Sequence, residues 1–153
     1  MEPVPSAEDF DFWLGSWIVR WGEADGETGR NVITRTFGDH VVEERFDGRP
    51  GVDLVGASVS VFDPHRELWR QTWVDDAGNY FALEGNLVDG EMVLLCEHHN
   101  APEPDAVYRM RFFDITQDSL TWTWERSVDA GATFEELWRL AYGRASTADR
   151  SLA

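Results

Sequence analysis

The chain has 153 residues, enough for one domain around a single core, and eight Trp, nine Phe and three Tyr supply that core with large aromatic side chains. Its formal net charge of -16 excludes the basic surface that nucleic-acid binding requires and opposes docking on anionic membranes, so neither partner is expected. The simplest role for such a charge is solubility. Cys96 is the only cysteine, so no intramolecular disulfide forms and a reducing cytoplasm is the expected compartment.

The first eight residues carry no basic segment followed by an apolar one, so no signal peptide is expected. No apolar run approaches the roughly 20 residues of a membrane helix. Residues 1–7 read as a loose tail, 8–145 as one domain and 146–153 as a second tail. The stretch Phe10-Asp11-Phe12-Trp13-Leu14-Gly15-Ser16-Trp17 organises the domain. Residues 8–14 predict a short helical plug, with Ser6 as N-cap and Asp9 returning the bond. Gly15 turns that plug into a first strand, and Trp17 closes the end of the sheet.

From Ser16 onward the apolar period is two. Strands are predicted at 16–21, 30–37, 40–46, 54–62 and 68–74, then at 80–88, 92–97, 107–115, 120–128 and 133–142. Between them stand turn residues: Gly38-Asp39, Asp63-Pro64, Asp75 to Asn79, Asp89-Gly90, Gln117-Asp118 and Asp129-Ala130-Gly131. The longer loop at 98–105 holds two prolines. Gly56, Ala57, Ser58 and Ser60 in one strand mark close approach of a neighbour or room for something else. About ten short strands joined by hairpins predict an all-β, up-and-down antiparallel barrel of eight to ten strands, in which closure removes the exposed edges. A barrel of that size holds one small ligand.

Gly15-Ser16-Trp17 after a short aromatic plug resembles the Gly-x-Trp signature of lipocalin-like (calycin) barrels. The wider set is similar to a bacterial family of uncharacterised lipocalin-like proteins. It comprises Phe10 to Trp17, Trp69-Arg-Gln-Thr-Trp-Val-Asp, the segment from Trp124 to Phe134, and Tyr142-Gly-Arg144. The resemblance spans residues 10–144 and implies a lipocalin or fatty-acid-binding type of barrel. It also implies a late arginine packed over the signature Trp, with Arg144 or Arg126 as the candidate. In fatty-acid-binding relatives a late-strand arginine holds a ligand carboxylate, and Arg109 sits in a comparable strand.

Three constellations bear on chemistry. Trp69, Gln71 and Trp73 alternate on one face, as do Leu120, Trp122 and Trp124, and Phe134, Trp138 and Tyr142. They make either a filled core or an aromatic pocket, and a buried Gln71 needs hydrogen-bond partners. Second, Glu97-His98-His99 lies near Cys96. Adjacent histidines on a strand point to opposite faces, so no metal set converges. No histidine falls firmly mid-strand and inward, so no haem or other cofactor is expected. Third, Glu44 and Arg109 sit on strands where the solvated face is the default, yet Val107, Phe113 and Ile115 share parity with Arg109. An inward Arg109, with Glu44 as its partner, predicts recognition of an anionic head group.

The resulting expectation is a carrier or sensor of a small hydrophobic or aromatic molecule. Its ligand-binding residues are Trp69, Gln71, Trp73, Arg109, Trp122, Trp124, Trp138 and Glu44. The alternatives are a small-molecule enzyme of the same shape (isomerase, cyclase or hydrolase), or a solid-cored interaction protein whose surface pairs as a homodimer or with another partner. No Ser-His-Asp spacing, phosphate loop or Rossmann fingerprint is present.

Overall fold

The computed structural model describes residues 4–22 and 26–146. Within them ten antiparallel strands close into one up-and-down barrel. In chain order these are β1 (Gly15–Trp21), β2 (Glu27–Thr36), β3 (Val41–Asp47), β4 (Val55–Asp63), β5 (Leu68–Asp75), β6 (Tyr80–Val88), β7 (Glu91–His99), β8 (Val107–Phe113), β9 (Ser119–Ser127) and β10 (Glu135–Arg144). Each strand pairs with its sequence neighbour, and β1 pairs with β10. The strands fall where the period-two runs and turn residues predict them. Strand-length alternation of buried and exposed positions then divides each one between core and solvent.

The expected helical plug is not formed. Residues 8–14 make successive tight turns ending in the 3-10 helix Asp11–Trp13, with bonds from Asp11 N to Glu8 O, Trp13 N to Phe10 O and Leu14 N to Asp11 O. A segment this short gains too few i to i−4 bonds to offset helix nucleation, whereas 3-10 bonds close within three residues. The Ser6–Asp9 exchange is present on the turn: Ser6 N donates to Asp9 Oδ2 at 3.0 Å, and Ser6 Oγ to Asp9 Oδ1 at 3.2 Å. The expected tails at 1–7 and 146–153 lie mostly outside the described residues. Of residues 4–7, Ser6 and Ala7 are tied to the barrel through their carbonyls, which accept from Trp69 Nε1 and Arg35 Nη2.

The plug fills one end of the barrel. Phe10 packs edge-on against Trp69 and Phe112, and Trp13 against Phe112. Trp17 is buried, and its indole donates to Trp13 O at 2.8 Å. The Arg144 guanidinium lies over the Trp17 ring at 3.7 Å and donates to Leu14 O, Phe12 O and Gln117 O. Of the two candidates, Arg144 is therefore the arginine that covers Trp17. Gly15, at φ +124°, makes the crossing feasible, because a Cβ there would overlap Arg144 Nη1.

Candidate functional site: an aromatic cavity around one buried carboxylate

With one end plugged, the other end of the barrel stays open inside. A cavity of about 220 Å³ runs from the strand ends at residues 46, 73–81, 124 and 138 down to Trp13. An apolar cavity of about 150 Å³ holds benzene, so this one accommodates a ring system somewhat larger. Its walls are Trp73, Trp122, Trp124, Trp138, Phe46 and Phe81. Trp122 and Trp124 lie parallel at 6.4 Å, and Trp138 meets Trp122 edge-on at 6.1 Å. Trp73, Trp122, Trp124 and Trp138 are only partly buried although all point inward, because they face open space rather than other side chains. The small residues of β4 serve close approach. Trp73 lies across Gly56, where a Cβ would overlap its ring.

The polar floor is built from four strands, β2, β3, β4 and β10. Alternation along β3 turns Val42, Glu44 and Phe46 inward. Glu44 stands beside Ser58 in the β3–β4 register, and Ser58 Oγ donates to Glu44 Oε1 at 2.7 Å. Asn31, fully buried on β2, donates from Nδ2 to Glu44 Oε2 and to Tyr142 Oη, each at 2.7 Å. None of the ion pairs among the described residues includes Glu44, and its neighbours are neutral. Burial pushes the Glu44 carboxyl up to about 6, against the lowering effect of the Ser58 and Asn31 bonds. Burial, reinforced by the charge on Glu44, also raises Tyr142 far above the usual phenol range, so it is a neutral hydroxyl. At the lip, Asp75 accepts from Trp73 Nε1 at 2.9 Å and from both nitrogens of Asn79. Burial raises the Asp75 carboxyl, but these bonds outweigh it and hold it below the ordinary aspartate value.

The structure brings Glu44, Trp73, Trp122, Trp124 and Trp138 together on the cavity. It separates the other three expected residues from it. Trp69 and Gln71 are buried but do not line the cavity, and Trp69 packs against Phe10 of the plug. Trp69 bonds Ser6 O, and Gln71 Nε2 donates to Ser60 Oγ at 2.9 Å, leaving Gln71 Oε1 without a partner. Arg109, expected to face inward, lies on the outer face. Tyr108, Met110 and Phe112 are the buried members of β8, and Met110 and Phe112 line the cavity. Arg109 instead pairs with Glu125 at 2.6 Å and stacks on the Phe134 ring at 3.9 Å. Arg111 reaches both Glu91 and Glu125. Glu44 is thus not the partner of Arg109. Phe134 leaves the inner face shared by Trp138 and Tyr142, because the β9–β10 register shifts between Glu136 and Trp138.

His99 faces inward beside Phe81 but is used structurally: Nε2 bonds Ala106 O at 2.7 Å and Nδ1 accepts from Ala101 N. His98 is exposed, and Cys96 is buried with its thiol pushed up to about 11 by that burial. Among the described residues no group of three or more His, Cys, Asp and Glu is placed to hold a metal ion. No helix among them is long and apolar enough to cross a membrane. Asn31, Ser58 and Trp13 are site residues that strand parity alone did not single out.

No protein-family model matches the sequence, and no curated protein matches it. A solved structure does. The crystal structure of Rv2717c from M. tuberculosis superposes with a TM-score of 0.57 at 11% sequence identity, over 94% of this chain and 100% of that one. At that identity the likeness extends to the barrel fold alone.

Proposed function

We propose that this barrel binds a small aromatic or hydrophobic molecule in its interior, as a carrier or sensor of the lipocalin-like type. The observation that carries the reading is the cavity of about 220 Å³ walled by four partly exposed tryptophans and floored by one buried carboxylate. Small-molecule sites have this composition, a mostly apolar concavity with a few placed polar groups. Arg144 over Trp17 supports the lipocalin-like assignment, and the single cysteine supports a reducing compartment. A neutral nitroaromatic alcohol, 4-nitrobenzyl alcohol, tests the reading, because a ring seated among four indoles quenches them at close range. Saturable quenching of tryptophan emission is expected. A strictly linear, collisional dependence on concentration contradicts it.

One observation favours a second reading. Burial holds the Glu44 carboxyl above the ordinary carboxylate range, as in a general base, and Glu44 faces the cavity, so the same site has the equipment for proton transfer within a bound molecule. The binding reading stands first, because both Glu44 oxygens are already hydrogen-bonded and the other carboxylate of the cavity, Asp75, is held at the lip by Trp73 and Asn79.

A further inference from the structure

The cavity is electrically one-sided. Its lining contains two carboxylates, Glu44 at the floor and Asp75 at the lip, and no Arg, Lys or His. Glu44 receives its hydrogen bonds only from neutral donors, Ser58 and Asn31. A buried charge in a protein ordinarily has a counter-charge beside it. Arg45, next to Glu44 on β3, points outward and is engaged with Glu43, and Arg109 on β8 is likewise outward and engaged with Glu125. Above the carboxylate the walls present indole faces, which attract cations once water is excluded. Near the mouth, Arg49 is paired with Asp47, on which Arg30 also acts, and has Asp53 and Asp76 close by, while Arg126 is paired with Glu103 and Glu135, so carboxylates outnumber the arginines there.

We infer that the occupant of this cavity is an organic cation, an arylalkylamine with one or two flat rings whose ammonium seats on Glu44 and whose rings lie among Trp122, Trp124 and Trp138. The inference deepens the binding reading and rests on it. The amine supplies the counter-charge that the protein withholds. Its N–H groups take the remaining lone pairs of the Glu44 carboxylate, and the acidic mouth raises its local concentration. An anion meets the opposite conditions at every depth, so fatty and aromatic carboxylates are excluded rather than selected.

Calorimetric titration of the full chain with three compounds of one shape tests this: 1-naphthylmethylamine, 1-naphthylmethanol and 1-naphthoate. The amine is expected to bind at least about tenfold more tightly than the alcohol, the worth of one charge-assisted hydrogen bond, with the carboxylate weakest. Glu44→Gln, which keeps the size of the side chain, is expected to bring the amine down to the alcohol and leave the alcohol unchanged. Equal binding of amine and alcohol by the parent protein, tighter binding of the carboxylate, or an amine preference that survives Glu44→Gln overturns the inference while leaving the binding reading in place. Absence of binding by all three overturns the binding reading itself. If Glu44→Gln does not fold, the three-way comparison on the parent protein decides alone.

Discussion

Glu44 and Tyr142 share one donor group. The Asn31 amide gives one hydrogen to Glu44 Oε2 and the other to Tyr142 Oη, each at 2.7 Å, and so ties β3 to β10 across the barrel interior through β2. This couples the only carboxylate on the cavity floor to the pH dependence of folding. The folded-state value of Glu44 is raised from 4.5 to about 6. Between these values the native protein holds more protons than the unfolded chain, so this group's contribution to stability is full below 4.5 and lost as pH rises through about 6. The shift corresponds to about 2 kcal/mol. Relative to the parent, Glu44→Gln is therefore expected to gain stability on moving from pH 4 to pH 7.5. Denaturant midpoints of both proteins across that range check it. A difference that does not change with pH contradicts the assigned burial of the charge.

Trp17 carries the closed end. Its ring is buried between Tyr142, at 5.4 Å edge-on, and the Arg144 guanidinium. Trp17→Ala leaves a cavity there and is expected to cost about 3–5 kcal/mol, measured by urea denaturation. A negligible change means that the plug does not close the barrel.

Arg109 belongs to the outer face, and its replacement separates the two faces of β8. Arg109→Met removes one partner of the buried Glu125 carboxylate, which keeps Arg111 and Thr123. A loss of roughly 1–3 kcal/mol is expected, the range for a hydrogen bond to a charged group, with affinity for cavity ligands unchanged. A matched melting curve and binding titration test both halves. Altered ligand affinity at constant stability places Arg109 in the cavity after all.

Gly56 sets the position of Trp73. A Cβ there would overlap the indole, so Gly56→Ala displaces Trp73 from the cavity wall and strains its bond to Asp75. The expected result is weaker binding of aromatic ligands, by a factor of several, in a protein whose far-ultraviolet spectrum still reads as a barrel. Unchanged binding means that Trp73 is not part of the ligand wall.

The barrel itself was legible in the sequence because a period of two, interrupted by Asp, Gly and Pro turns, follows directly from strand geometry. Parity was reliable wherever the ladder is regular, as along β3 and β5. It failed at Phe134, since the register shift near Glu136 leaves no compositional mark. It misled at Arg109, where apolar Val107 and Phe113 share the arginine's face. Those residues are covered from outside instead, with Arg111 lying 4.6 Å over the Phe113 ring. The plug read as a helix because its aromatic spacing suits either kind of turn, and only the bond pattern separates them. Asn31 and Ser58 became site residues solely through cross-strand register, which a single sequence does not encode.

The proposed function requires an open interior that takes a ligand. Leu140, buried on β10 and facing the cavity, allows the space to be filled without touching the polar floor. Calorimetric titration of indole into the parent protein and into Leu140→Phe tests the claim most directly, with melting curves establishing that both are folded. Saturable one-to-one binding by the parent and its loss in the filled variant are expected. No saturable binding by the parent, or equal affinity in both proteins, contradicts the proposed function.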